Sequence, residues 1–239
     1  MNHIGTSGWS YDHWEHVLYP PGTPPFQRLA HYVNRFSTVE LNSSFYRWPK
    51  ASAFDSWRRR LPEGFQLTVK APRALTHAKR LYAPEDWVRR IVGDLRRLKN
   101  RMGVLLVQLS PQFACDSARL QYFLDQIPDD LRVAVEFRDP SWHTEEIFRL
   151  LEQREVAYCV MSGAHRPCVL RATAPFVYVR LHGPDHHHLY AGSYSDDDLR
   201  WWADRIREWE AGGREVFAYF NNDGFGNAVR NAERLRQFV

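Results

Sequence analysis

Short apolar runs that end in a polar or charged side chain recur along this chain, with segments of helical period between most of them. Eight such runs are read as strands, at residues 3–7, 38–42, 65–70, 104–109, 133–137, 156–161, 177–181 and 216–220. Successive side chains of a strand face opposite sides, so residues two apart share a face. Glu40 then points with Asn42, Glu136 with Arg138, and Arg180 with His182. If the strands run parallel, their carboxyl-terminal ends gather these groups into a dense polar cluster. Carboxylates, cations and amides are costly to hold beside apolar strands without a purpose.

The alternation predicts an α/β fold, a TIM-type (β/α)8 barrel, over an open doubly wound sheet. A dinucleotide-binding sheet carries G-x-G-x-x-G after its first strand. Here Gly5-Thr6-Ser7-Gly8 lacks that spacing, and residues 9–25 form a turn rich in aromatics and proline. Helices are predicted at 26–34, 52–60, 84–102, 116–125, 145–153 and 195–212, with a last one after Asn221-Asn222-Asp223. The clearest spaces Trp87, Ile91, Leu95, Leu98 and Met102 along one face, ending at Gly103. Ser52 with Asp55, and Ser195 with Asp198, have the spacing of capping boxes, and Asp116 is read as an N-cap. Residues 162–175 show no regular period.

At 239 residues and 44% hydrophobic, one large core is attainable, and a single domain over residues 1–239 is expected. A net charge of +4 is mildly basic, compatible with anionic small substrates and well short of a nucleic-acid coating protein. Cys115, Cys159 and Cys168 fit no paired metal spacing, and an odd count without a secretory signal points to a reducing compartment. The start lacks a basic segment followed by a long apolar run, and no stretch has the length of a membrane span. A cytoplasmic protein is the expectation.

Several motifs then identify a relationship. IGTSGW at 4–9 with Tyr11 and Trp14, VELNSSFY at 39–46 with Pro49, and Lys70 with Thr76-His77 stand in order along the chain. Gln108-Leu109 before Pro111, Glu136-Phe137-Arg138 with Ser141-Trp142, RLHG at 180–183 and YFNND at 219–223 complete the set. In these the chain resembles the YecE-like family, domain of unknown function family 72. The resemblance implies a TIM-type barrel and carries no reaction or catalytic assignment. Ser110 departs from it, where a second proline is usual, and the histidine run at 185–188 looks local to a subgroup. Function is therefore argued from the site.

Barrel enzymes work at the carboxyl-terminal strand ends. Glu40 and Glu136, on the second and fifth strands, are the expected acid/base pair, with His182 assisting because its ordinary pKa lies near neutrality. The competing reading has each glutamate salt-bridged to Arg138 or Arg180. Lys70, Arg138 and Arg180 are expected to hold anionic groups. Asn42, Gln108 and Asn222 would orient substrate, although alternation does not separate Asn221 from Asn222. His77 is a further binding residue or a helix cap. Trp9 and Tyr46, among the aromatics Tyr11, Trp14, Phe45 and Trp142, could wall a cleft or pack over the strand ends.

The expected function is an enzyme of hydrolase, isomerase or lyase type acting on a polar, hydroxyl-bearing or anionic small molecule. One rival is a barrel enzyme of the sugar-isomerase or DNA-end-processing kind, with a divalent metal held by Glu40, Glu136 and His182. No other cofactor is indicated. Another rival is a non-catalytic binder of nucleotide or nucleic acid. Against that partner, the arginines at 89, 90, 96 and 97 lie on predicted helices, where a basic run usually forms a solvated face. No membrane partner is expected, and oligomeric state is not encoded legibly.

Overall fold

Strands and helices alternate from Asn2 to Arg236 in the computed structural model, which describes residues 1–164, 167–185 and 187–239. In chain order the elements are β1 (Asn2–Thr6), α1 (Pro25–Val33), β2 (Thr38–Leu41), α2 (Ser43–Tyr46), α3 (Ala51–Arg60) and β3 (Gln66–Lys70). Then come α4 (Glu85–Leu95), β4 (Met102–Gln108), α5 (Ser117–Asp125), β5 (Val133–Glu136), α6 (Glu145–Gln153) and β6 (Ala157–Ser162). β7 (Phe176–Leu181), α7 (Asp196–Ala211), β8 (Glu215–Phe220) and α8 (Asn227–Arg236) complete the chain. Short 3-10 turns at Asp12–Trp14, Pro140–Trp142 and Gly224–Gly226 follow β1, β5 and β8, and a π-helical turn at Ala74–Ala78 follows β3.

The strands share one sheet in the order β1-β8-β7-β6-β5-β4-β3-β2. The pairs β1–β8, β7–β8, β3–β4, β4–β5 and β5–β6 are parallel. That order and direction define the α/β class and a TIM-type (β/α)8 fold. No described helix is long and apolar enough to cross a membrane. By packing, the chain divides into two compact units: residues 1–40, 160–171 and 175–239, and residues 41–159 with 172–174.

In the first unit, α8 packs on β1 and β8, and α7 packs on β8. Ile4, Leu29, Val179, Phe217 and Val229 are buried in this core. Gly5 allows a close approach, since a Cβ there would stand 2.4 Å from the Thr38 carbonyl oxygen. The expected capping box opens α7: Ser195 and Asp198 exchange side-chain and backbone bonds, and three aspartates in the first turn complement the helix dipole.

In the second unit, Val69, Leu98, Leu105, Phe123, Val135 and Ile147 are buried. Asp116 caps α5 as expected, its side chain accepting the Arg119 N–H. Two expectations fail. The helix predicted at 84–102 stops at Leu95, a 3-10 stretch follows to Arg101 with Lys99 at φ +53°, and Met102 already belongs to β4. Gly103 lies inside that strand rather than ending the helix, and a glycine is needed there because a Cβ would come within 2.9 Å of the Leu67 backbone. Ser52 and Asp55 do not cap α3, whose N-cap residue is Lys50, and Asp55 instead meets Arg97 at 3.1 Å.

Candidate active site

β3, β4 and β5 deliver a polar cluster in the second unit. Lys70, Gln108 and Glu136 are the last residues of these three strands. Gln108 stands in register with Glu136 on the neighbouring parallel strand, so their side chains share a face. Gln108 Nε2 accordingly donates to Glu136 Oε1 at 2.9 Å. Arg138, two residues beyond Glu136 on the same alternation, brings Nε against that oxygen as an ion pair, without the alignment of a hydrogen bond. Glu136 is fully buried, whereas Lys70, Gln108 and Arg138 keep 7–8% of their surface open.

Phe45 of α2 organises the cation side of this cluster. Lys70 Nζ sits 4.2 Å from the Phe45 ring centroid, and His77 meets the same ring edge-on at 4.9 Å. His77 lies on the π-helical turn, a form frequent at functional sites. Its Nδ1 is 2.9 Å from Thr76 Oγ1, and that hydroxyl donates to the Pro72 carbonyl. This contact ties the imidazole to the turn, with donor and acceptor set by the ring tautomer. Burial lowers the His77 pKa, the positive charges of Lys70, Arg73 and Arg138 lower it further, and Glu136 opposes them. The imidazole is thus neutral at neutral pH.

A second cluster lies in the first unit, and it is sealed. Glu40 of β2 and Arg180 of β7 are buried, at 0% and 1% exposure. Arg180 grips Glu40 bidentately, Nε to Oε2 at 2.9 Å and Nη2 to Oε1 at 2.7 Å. The Tyr178 hydroxyl, two residues back on the same face, donates to Oε2 at 2.6 Å, and Ser7 donates to Oε1. Burial and the Glu40 charge raise the Tyr178 pKa, so the phenol stays a donor. Ser7 also bridges Glu40 in parallel through the backbone, with the Gly8 N–H on the Glu40 carbonyl at 2.8 Å.

The remaining expectations sort by contact. His182 is fully buried beyond β7, its Nδ1 3.3 Å from Asn221 Nδ2 and its ring edge-on to Tyr190. Asn221 and Asn222 take different partners. Asn222 donates to the Gly192 carbonyl at 3.0 Å and to Asn231 Oδ1 at 2.8 Å, fastening a loop to α8, while Asn221 faces His182. Tyr46 is 75% exposed, and its neighbour Phe45 is the ring that meets Lys70 and His77. Adjacent residues of a helical turn diverge by about 100°, so only one of the pair can face β3. Asn42 follows β2 with a buried Oδ1 that has no hydrogen-bond partner. Trp9 is half-buried, its carbonyl bonded by the Tyr19 hydroxyl.

Sequence reasoning missed Arg73, which lies beyond the strand alternation in a proline-containing loop. It also missed His13, whose Nε2 is 2.9 Å from Asp223 Oδ2, beside a 2.6 Å bond from Trp14 Nε1 to Oδ1. Burial raises the Asp223 pKa, and both partners oppose that rise. A cavity of about 430 Å³ in the first unit, beside Ser162, Gly183, Tyr194, Asp198 and Trp201, has none of the predicted site residues in its wall. Among the described residues no three His, Cys, Asp or Glu side chains gather as metal ligands. Of the histidine run, His186 lies outside the described residues, and Asp185 is occupied by the backbone N–H groups of His187 and His188. Of the basic helix residues, Arg89, Arg96 and Arg97 pair with Asp86, Asp130 and Asp55 at the surface.

Parallel strands in this order, with charged clusters at their carboxyl-terminal ends, define an α/β protein of the TIM-barrel class. Over residues 3–239 the chain matches the family described as "Protein of unknown function DUF72", and it belongs to that family. It is 27% identical over 270 residues to UPF0759 protein YunF of Bacillus subtilis, covering all of this chain and 95% of that one. It is also 27% identical over 169 residues to UPF0759 protein YecE of Escherichia coli K12, covering 68% and 60% respectively. A crystal structure of a DUF72 family protein from Thermotoga maritima superposes with a TM-score of 0.88 at 27% identity, covering 99% of this chain and 98% of that one. A second, from Enterococcus faecalis, gives 0.87 at 19% identity over 100% and 95%, and supports the fold alone.

Proposed function

We propose that the chain is an enzyme for a small anionic, hydroxyl-bearing substrate bound at the Lys70–Glu136–Arg138 cluster, with His77 as the group that exchanges the proton. The observation that carries this reading is a neutral imidazole, joined through Nδ1 to the Thr76 hydroxyl, amid the fields of three cations; with that hydroxyl turned to the Pro72 carbonyl, Nδ1 holds the proton and Nε2 is left to accept. Cations that keep a histidine unprotonated also attract an anionic substrate, so one arrangement serves both binding and general-base action. Gln108 and Arg138 are fixed by Glu136, which makes that carboxylate the organiser of the anion-holding side.

Glu40 has a different part in this reading. Four donor contacts from Ser7, Tyr178 and Arg180 occupy both of its oxygens, so in this reading it braces β2 against β7. His182, enclosed with Asn221, has a positioning role on the same grounds. The test is a panel of phosphorylated and carboxylated hydroxy compounds incubated with the protein, with products read by mass spectrometry. Any compound turned over should be turned over at least about 100-fold more slowly by His77→Gln, the scale of one general base. Undiminished turnover in that variant would reject the assignment.

A further inference from the structure

We propose that the first-unit cavity beside the ends of β6 and β7 binds a small amine that also carries an oxygen acceptor. Asp185 and Asp198 would take the ammonium, and Ser162 and Trp202 the oxygen. The cavity, about 430 Å³, has the size of a small-molecule site and shares no wall residue with the Lys70–Glu136–Arg138 cluster. Ser162 closes β6 and Gly183 stands two residues beyond β7, so the wall is built at the strand ends that carry ligand chemistry in this fold.

The wall is held in shape by its own contacts. The Tyr194 hydroxyl accepts the Gly183 N–H at 3.0 Å and donates to Ser162 Oγ at 3.1 Å, tying the two strand exits together. Gly163 and Gly183 stand where no side chain fits. A Cβ on the first would lie 2.8 Å from His182 Cβ, and one on the second would overlap the Ala191 carbonyl oxygen. The rings of Tyr194 and Trp202 are buried and that of Trp201 is half open, and together they offer flat apolar surface to the body of a ligand.

Two carboxylates in this wall each leave one oxygen unengaged. Asp198 accepts the Ser195 N–H and hydroxyl on Oδ2 alone, at 2.9 and 2.7 Å. Its neighbours Asp196 and Asp197 pair with Arg234 and Arg200, whereas Asp198 has no cationic partner among the described residues. Asp185 Oδ1 takes the N–H groups of His187 and His188, each at 2.7 Å, and the His188 ring nitrogen stands 3.4 Å from the same oxygen. Asp198 Oδ1 and Asp185 Oδ2 thus have no hydrogen bond among the described residues, and no described lysine or arginine lines the cavity. Arg205 lies over the Trp201 ring at 5.3 Å, with Glu208 as its own carboxylate. Carboxylates beside aromatic faces select an organic cation.

The other polar groups of the wall are donors. Trp202 is 4% exposed, and its Nε1–H has no hydrogen-bond partner among the described residues. A buried donor left unmatched is costly, and a ligand oxygen in the adjoining cavity removes that cost. Ser162 Oγ accepts from Tyr194 and keeps its own hydrogen to donate. A simple alkylamine leaves both donors unmatched, and a carboxylate compound brings like charge to Asp185 and Asp198. Cys168 lines the same cavity, exposed and without a hydrogen-bond partner among the described residues, so its thiol reports occupancy.

The experiment times alkylation of Cys168 by iodoacetamide in the full chain carrying Cys115→Ser, which leaves Cys168 as the exposed cysteine beside a buried Cys159. The probe is tyramine, which joins an ammonium, an apolar ring and a hydroxyl. Para-ethylphenol lacks the ammonium, phenylethylamine lacks the hydroxyl, and para-hydroxyphenylpropanoate carries a carboxylate in place of the ammonium. Saturating tyramine should slow alkylation at least about tenfold. Phenylethylamine should need a severalfold higher concentration, and the other two should leave the rate unchanged. Asp198→Asn, which keeps an oxygen for the Ser195 cap, should weaken tyramine severalfold, and with Asp185→Asn about tenfold. Trp202→Phe and, at a less buried position, Ser162→Ala should each weaken tyramine severalfold and leave phenylethylamine unaffected. Equal protection by para-ethylphenol or the propanoate, no protection at millimolar tyramine, or tyramine affinity unchanged in the double aspartate variant would overturn the proposal.

Discussion

Two glutamate–arginine pairs read alike in the sequence and differ in the folded chain. Glu40 and Arg180 come from strands 140 residues apart and meet bidentately in a sealed core of the first unit. Glu136 and Arg138 are two residues apart on one strand face of the second unit and meet with the guanidinium Nε against Oε1. Around the first pair the Tyr178 and Ser7 hydroxyls add neutral donors to the Glu40 oxygens. Around the second, Lys70 and Arg73 add cations, and the edges of Lys70, Gln108 and Arg138 reach solvent. A saturated, long-range pair is a brace. A local pair set beside further cations is a means of aiming a guanidinium, and that distinction decides where ligand chemistry is sought.

The largest effect should come from cutting the brace. Arg180→Met strands the Glu40 charge in a core with two hydroxyl donors, and should cost about 3–5 kcal/mol in urea unfolding. Arg138→Gln should cost less, about 1–2 kcal/mol, because Gln108 and the nearby cations still compensate Glu136. Equal losses would erase the contrast between the two pairs.

A smaller effect separates the clusters by pH. The folded-state pKa of His77 lies below its ordinary 6.5, so between the two values the unfolded chain binds more protons than the folded one. Stability contributed by this group is therefore present above pH 6.5 and is lost as pH falls toward the folded value. Urea midpoints between pH 5 and 7.5 should show this slope, and His77→Asn should flatten it; an unchanged slope would place the titrating group elsewhere. Smallest of all, Tyr46→Ala should change stability by no more than about 0.5 kcal/mol, as expected for a side chain 75% exposed, whereas Phe45→Ala should disturb both Lys70 and the His77 titration.

Strand alternation made much of this legible. The period of two placed Glu136 with Arg138; Tyr178, two residues before Arg180, shares by the same period the face that meets Glu40, and only the folded chain showed it. It also located all eight strands to within a residue or two. What it could not supply was anything set by three-dimensional contact. The helical spacing through Met102 continued past the true end of α4 because apolar residues of the 3-10 stretch and of β4 kept the helical phase by coincidence. Asn221 and Asn222 are both polar at a strand exit, and only the carbonyl of Gly192 and the amide of Asn231 show which one turns away. Arg73 enters the site from an irregular loop that no periodicity describes.

The account depends on a neutral His77 protonated on Nδ1, with Nε2 presented to the ligand. Nitrogen-15 NMR of the imidazole rings at pH 7, with His77→Asn for assignment, measures this directly. The account predicts a protonated Nδ1 and a bare Nε2 for His77 in the free protein. An imidazolium, or a proton on Nε2 with Nδ1 bare, would contradict it.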